Sequence, residues 1–280
     1  MKLGIVVASE KALPSAFAVF RGFGDGIAKA AELGYDGVEL AVRDGRDFHA
    51  KDMQALLSAH RLEASAISTG QLFADKKLWL SARDATVRAA AVREFLSIIE
   101  LAAGLGCLVN IGRARGFVEE GDTREETTVR FTQSLSTVAE AAQKQGVTLV
   151  LEPVNRYETN YINSVDEGAE LISHLEAAGT YGLKLMPDVF HMNIEDISIE
   201  GSLRRHGSRV GYVHVADSNR LAPGQGHLSF PAVFDALKEI GYDGWVTAET
   251  LPLPTPEEAA QQTIAYLRGF YPRKKEETPA

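Results

Sequence analysis

The sequence predicts an α/β fold, a single (β/α)8 TIM barrel, on three observations. Eight short apolar runs rich in Val, Ile and Leu recur along the chain, the texture of strands buried on both faces. Amphipathic helical stretches separate these runs, and strand–helix alternation of this kind implies a parallel sheet. Glycines close the helical stretches at Gly34, Gly106, Gly146, Gly179 and Gly241, where a left-handed residue stops a helix. Eight such units suit a closed barrel better than an open doubly wound sheet, which is the alternative.

The elements follow in order. KLGIVVAS (2–9) is the first strand. Its apolar run after Met1-Lys2 has the outline of a signal peptide but falls short of the roughly 7–15 apolar residues such a segment needs. GVELAV (37–42) and EASAIST (63–69) are the second and third strands, and CLVNIG (107–112) is the fourth. The lone Cys107 in that run reads as a buried structural thiol; a single cysteine excludes an internal disulfide and suits a reducing cytoplasm. VTLVLEP (147–153), GLKLMPD (182–188), VGYVHVAD (210–217) and GWVTAET (244–250) complete the set. The clearest helices are Thr86–Leu105, Arg124–Gln145, Val165–Ala178, Phe230–Ile240 and Glu257–Phe270. No linker divides the chain, so residues 1–271 read as one catalytic barrel domain and 272–280 as a disordered tail. A faint internal echo links ELGYDGVEL (32–40) with EIGYDGWVTAE (239–249), each a helix end, a Gly turn, a strand and a terminal Glu.

The chain has 280 residues, 45% of them hydrophobic and 24% charged, an ordinary globular composition with material for a large core. A net charge of −9 argues against a broad grip on nucleic acid or anionic membrane. No apolar stretch approaches the roughly 20 residues of a membrane span. The expected partners are a small molecule and further copies of the chain, as a homodimer or homotetramer, and the expected location is cytoplasmic.

The chemistry lies at the strand ends. Glu152, Asp188, His214 and Glu249 each stand near the C-terminal end of a separate apolar run, the fifth to eighth. A carboxylate or imidazole there is costly to desolvate unless it is paired or binds a metal. Contiguous barrel strands carry such side chains to one point on the face where barrel active sites form. Three oxygen donors and one nitrogen, with no thiolate, suit one divalent ion per chain, Mn²⁺ first, with Co²⁺, Mg²⁺ or Zn²⁺ as alternatives. Polar residues follow immediately: Glu158 in NRYE, His191 three residues after Asp188, and Arg220 six after His214. Arg113 and Arg115, after the fourth strand, suit a substrate carboxylate or phosphate, or are solvated rim charges. PGQGH (223–227) lacks the spacing of a nucleotide loop and reads as a turn that folds over the site. His174 and His206 read as surface residues, and His227 as either a residue backing the site or a loop hydrogen bond. Phe73 and Trp79 read as a pocket wall or a satellite apolar cluster.

These motifs resemble the sugar isomerase/epimerase family with a xylose-isomerase-like barrel, and most of all its ketose 3-epimerases and keto-sugar-acid epimerases. The similarity runs from Leu3 to about Phe270 and is densest in LEPVNRYETNYINS (151–164), DVFHMN (188–193), HVADSNRLAPGQGH (214–227) and GYDGWVTAE (241–249). It implies that Glu152, Asp188, His214 and Glu249 bind one metal and that Glu152 and Glu249 also exchange protons with substrate. It further implies that Glu158, His191 and Arg220 contact sugar oxygens. The third and fourth loops, GQLFADKKLWL and GRARGFVEEGD, depart from the family and shape the far end of the pocket. The chemistry implied is C3-epimerisation of an unphosphorylated ketose or keto-sugar acid through an enediolate. Aldose–ketose isomerisation on the same site is the runner-up, followed by keto-inositol dehydration and apurinic endonuclease activity.

Overall fold

The computed structural model describes residues 1–13 and 17–272, so the expected disordered tail falls almost wholly outside the described residues. The barrel strands are β1 (Lys2–Ala8), β2 (Gly37–Ala41), β3 (Glu63–Ser68), β4 (Leu108–Ile111), β5 (Leu149–Leu151), β6 (Leu183–Leu185), β7 (Val213–Val215) and β8 (Trp245–Ala248). Each pairs in parallel with its sequence neighbour from β1 to β6, and β8 pairs with both β7 and β1. Two isolated parallel bridges, Leu185 with Val210 and Asp188 with His214, close the ring between β6 and β7. This is the predicted (β/α)8 barrel. A two-residue strand, Phe20–Arg21, is added beside the end of β1.

The helices are α1 (Phe23–Leu33), α2 (Ala50–Ala59), α3 (Gly70–Ala74), α4 (Ala85–Leu105), α5 (Arg124–Lys144), α6 (Val165–Ala177), α7 (Val189–Glu195), α8 (Ile199–His206), α9 (Phe230–Glu239) and α10 (Pro256–Arg268). Local chemistry sets their ends. Asp84, Thr123, Ser164 and Thr255 each accept a hydrogen bond from a first-turn amide, and Thr123 with Glu126 forms a reciprocal capping box. The five glycines expected after helices all have positive φ, from 67° to 91°. Several strands are shorter than their apolar runs. Pro153 and Pro187 offer no N–H to the ladder, so β5 and β6 stop before them.

Side-chain alternation then places the site. Leu149, Leu151, Val213 and Val215 point outward into the core beneath the helices, with Phe95 and Phe131 fully buried there. The alternate residues point inward, and Ala66, Val150, Met186 and Tyr212 fill the barrel. The Tyr212 hydroxyl donates to Thr247 Oγ1 at 2.7 Å and shares a 2.7 Å hydrogen bond with Ser65 Oγ. Two positions beyond Val150, Met186, Tyr212 and Thr247, the next inward residues are Glu152, Asp188, His214 and Glu249. Strand parity alone therefore stacks the polar group on the barrel's apolar filling.

The barrel floor is tight at Gly37, where an added Cβ would lie 2.4 Å from both the Glu63 carbonyl oxygen and the Trp245 ring. Gly37→Ala should lower stability by about 1–3 kcal/mol through overpacking. A shift in the urea midpoint at unchanged slope checks this, and an unshifted midpoint would show that the floor yields.

Candidate metal centre and active site

Glu152, Asp188, His214 and Glu249 bring one potential ligand atom each to within 4.8 Å of one another, among residues that are buried or nearly so. Glu152 follows β5 directly and its Oε2 accepts from Asn110 Nδ2 at 2.9 Å. Asp188 caps α7, its Oδ1 accepting from the Phe190 amide at 2.8 Å, which leaves Oδ2 turned to the cluster. His214 sits in β7, and Glu249 stands one residue past β8, its amide donating to the Val215 carbonyl at 3.2 Å.

The two nitrogens of His214 face different environments. Nε2 lies 2.8 Å from Glu39 Oε2, and both side chains are fully buried. Nδ1 is buried with no hydrogen-bond partner among the described residues. It points at Glu152 Oε1, Glu249 Oε2 and Asp188 Oδ2, at 3.5, 3.6 and 3.9 Å. A buried nitrogen aimed at three carboxylates, with its opposite edge held by a fourth, fits a metal ligand backed by a carboxylate. The donor set can hold a divalent cation. Glu39, in the middle of β2, and Asn110 were not identified as site residues from the sequence; the one signal toward Glu39 was the echo ending in Glu.

Burial and neighbouring charge move the carboxyls in opposite directions. Burial and the repulsion of Glu152 and Asp188 push Glu249 up to about 8 against the attraction of Arg220 and His214. Burial also weighs on Glu152 and Asp188, but cationic neighbours outweigh it and hold both below their usual range, His214 for Glu152 and Arg220 for Asp188. Arg220 donates to Asp188 Oδ2 at 2.6 Å and pairs closely with Glu249. Its guanidinium is clamped between the rings of Phe17 and Phe190, 5.0 and 4.6 Å from their centroids.

The fifth loop orients His191. Asn155 Oδ1 accepts from the Tyr157 amide at 3.0 Å, which turns Nδ2 toward His191 Nδ1 at 2.7 Å. The acceptor role of Nδ1 puts the ring proton on Nε2, which faces Asp188 and Glu152 at 3.7 and 3.8 Å. Burial lowers the proton affinity of His191, so the ring is neutral at pH 7. Glu158 and Arg113 approach to 3.5 Å in the wall of a cavity open to solvent, which Ser68, Gln71 and Asn110 also line.

Arg115 requires a correction. Expected to contact substrate, it is fully buried, and its donors go to main-chain carbonyls rather than into the cavity. Phe73, Trp79 and Phe117 form an aromatic cluster, with ring centroids 5.2–6.1 Å apart, that backs Arg113. The Arg113 guanidinium lies 4.7 Å from the Phe73 centroid. The glycine-rich loop is folded on its own aspartate: the amides of Ser218, Gly224 and Leu228 donate to the Asp217 carboxylate at 2.7, 2.8 and 3.1 Å. His227 makes a loop hydrogen bond to Ser218, His206 bonds Asp166 at the surface, and His174 is exposed.

Fold and cluster together define a barrel enzyme with a carboxylate–histidine centre at its C-terminal rim. The profile of the xylose isomerase-like TIM barrel family matches residues 27–270, and the chain belongs to that family. It is 32% identical to the L-ribulose 3-epimerase of Mesorhizobium japonicum over 248 residues, 88% of this chain and 81% of the relative. It is also 32% identical over 136 residues to the 3-dehydro-D-guloside 4-epimerase of Escherichia coli, covering 48% of this chain and 51% of that one. The crystal structure of D-psicose 3-epimerase with D-tagatose from Clostridium cellulolyticum superposes with a TM-score of 0.81 at 24% identity, covering 96% and 99% of the two chains. The chain is thus an isomerase of the epimerase type.

Two outcomes follow from this geometry. Glu39→Gln should weaken Mn²⁺ affinity about 10–100-fold, the usual effect of losing the group that orients a ligand; calorimetric titration with Mn²⁺ checks it, and an unchanged Kd would remove Glu39 from the site. The second concerns pH. The folded value of Glu249 lies above its ordinary 4.5, so its contribution to stability is complete below that pH and lost as pH rises through about 8. The metal-free protein should therefore melt at lower temperature at pH 9 than at pH 6. Mn²⁺ affinity should rise over the same interval with release of a proton. Affinity flat from pH 6 to 9 would contradict this.

Proposed function

We propose that the chain is a metal-dependent 3-epimerase of an unphosphorylated ketose or keto-sugar acid of five or six carbons. The observation that carries this reading is the position of Glu152 and Glu249, first and last in an arc of four consecutive strands, with Asp188 and His214 between them. Glu152, Asp188, His214 and Glu249 would hold the ion, Mn²⁺ by preference. When bound, a divalent cation supplies fixed positive charge beside the substrate's carbonyl oxygen.

The chain's own groups handle the proton. Epimerisation removes the proton beside a carbonyl from one face and returns one to the other, so it needs a carboxylate on each side of the substrate. Glu152 and Glu249, at the two ends of the arc, would face the substrate from opposite sides, one removing the proton and the other returning one. The Nε2–H of His191 and the guanidinium of Arg220 would meet the oxygen on which negative charge develops. Glu158 would accept from a sugar hydroxyl. Arg113, which lines the cavity beside Glu158, would meet a distal hydroxyl or carboxylate. The loop amides already committed to Asp217 support an unphosphorylated substrate, since they leave no open nest for a phosphate.

Incubating Mn²⁺-loaded protein with five- and six-carbon ketoses in D₂O and following products by NMR tests the reading. Deuterium should enter at C3. Label at C4, label at C1 and C2, or loss of water would each replace it, with a 4-epimerase, an aldose–ketose isomerase or a dehydratase respectively. Glu152→Gln and Glu249→Gln should each lower kcat by about 10²–10⁴-fold with the circular dichroism spectrum unchanged. Near-normal turnover in either variant would end the two-base scheme for that residue.

A further inference from the structure

Arg115 ends the short 3-10 turn Arg113–Arg115 that follows β4, and the turn faces two ways. Arg113 is presented to the cavity, whereas Arg115 turns inward and is 0% exposed. Its Nη1 donates to the carbonyls of Gly112 and Glu152, each at 2.9 Å. Its Nε donates to the Tyr161 carbonyl at 3.0 Å and its Nη2 to the Ile162 carbonyl at 2.7 Å. An unpaired buried charge is costly, and here main-chain oxygens replace the water it gave up. Burial pushes the guanidinium down to about 10, which still leaves it cationic at neutral pH.

Three of the acceptors, Glu152, Tyr161 and Ile162, lie at the two ends of one loop. Glu152 begins the segment after β5, and Tyr161 and Ile162 end its return. Between them lie Asn155, which orients His191, and Glu158, which lines the cavity. Ile162 has φ 57°, a left-handed conformation that a β-branched side chain rarely takes. Its carbonyl accepts from the Val154 amide at 3.2 Å as well as from Arg115, so the same two bonds that hold this residue also close the loop.

We propose that Arg115 is a positioning residue: by clamping the Glu152 main chain to the Tyr161–Ile162 end of the loop, it fixes the Glu152 carboxylate in the metal centre and holds Asn155 and Glu158 at the cavity. The metal and kinetic consequences rest on the proposed function. The clamp itself does not.

The experiment uses the whole chain, with Arg115→Lys and Arg115→Met. Lysine keeps the charge but lacks the planar fork that serves four carbonyls; methionine removes the charge at similar length. Both variants should bind Mn²⁺ alone at least tenfold more weakly, matching the loss of an outer partner of a metal ligand. On any ketose the parent epimerises, kcat should fall. Amide hydrogen exchange across residues 154–163 should accelerate in the variants while β1–β3 stay protected. In the parent protein this same segment should exchange as slowly as the strands, a result that needs no variant to fold. Rapid exchange of 154–163 in the parent would overturn the clamp. So would a folded variant with unchanged Mn²⁺ affinity and unchanged local exchange, or one whose exchange rises uniformly at unchanged Mn²⁺ affinity, the behaviour of an ordinary core residue. If the parent epimerises no ketose, the functional reading fails while Mn²⁺ affinity and local exchange still decide the role of Arg115.

Discussion

The rim of the barrel depends on keeping three buried carboxylates together. Two like charges about 4 Å apart repel by about 4 kcal/mol at an effective dielectric near 20. Glu152, Asp188 and Glu249 therefore cannot all ionise in one buried cluster without positive charge among them. Part of the answer is built in: His214 faces all three, and Arg220 bridges Asp188 and Glu249. The rest appears as the raised proton affinity of Glu249. The position of Arg220 is in turn fixed by its backbone. Its φ is 61°, its amide donates to the Asp217 carbonyl at 2.8 Å, and its own carbonyl accepts from the Leu251 amide at 2.8 Å. The bridging cation thus ties the seventh loop to the eighth.

The four central residues were legible because each is a charged or imidazole side chain at the end of an apolar run. Strand parity then carries that one-dimensional signal into space. Glu39 escaped because it lies in the middle of its strand, with Leu40, Ala41 and Val42 after it, deeper in the barrel than Glu249 just past the end of its own strand. Asn110 and Asn155 escaped for a different reason: a neutral amide raises no desolvation alarm, and its value lies in what it orients. Arg115 was legible as a cation near the rim but not as one solvated by carbonyls, since main-chain acceptors leave no mark in the sequence. Strand lengths ran long because an apolar run marks burial, whereas a strand also needs ladder hydrogen bonds, which Pro153 and Pro187 end.

Two buried ions of opposite sign show how the loops are held without side-chain pairing. Arg115 gathers carbonyl oxygens from the fourth and fifth loops. Asp217 gathers amides from the seventh, and against the upward push of burial those amides hold its carboxyl low. Each replaces lost water with the backbone of a loop that carries cavity residues. The sequence requirements follow from the crowding. A Cβ at Gly226 would lie 2.2 Å from Asp217 Oδ1, so this glycine of PGQGH makes room for an internal anion rather than a ligand. A backbone solvation shell is directional and short-ranged, which suits it to fixing a loop more than to adding stability.

The fourth loop joins both arrangements, because Arg113 and Arg115 share one short turn. Arg115 belongs to the metal side of the cavity. Arg113 belongs to the other side, backed by Phe73 in a cluster with Trp79 and Phe117 from the third and fourth loops. On the proposed reading, the metal side settles which bond chemistry occurs and the aromatic side settles where along the sugar it occurs. On that reading the metal cluster would recognise only a carbonyl and its neighbouring oxygen, and a sugar offers that pair at more than one position. A rigid stop at the far end is what selects among them. On that reading Arg113, paired with Glu158 in the cavity wall and stacked on Phe73, would be that stop. A relative named for exchange at C3 and another named for exchange at C4 can therefore share one chemistry, provided the stop, and not the metal cluster, is what differs.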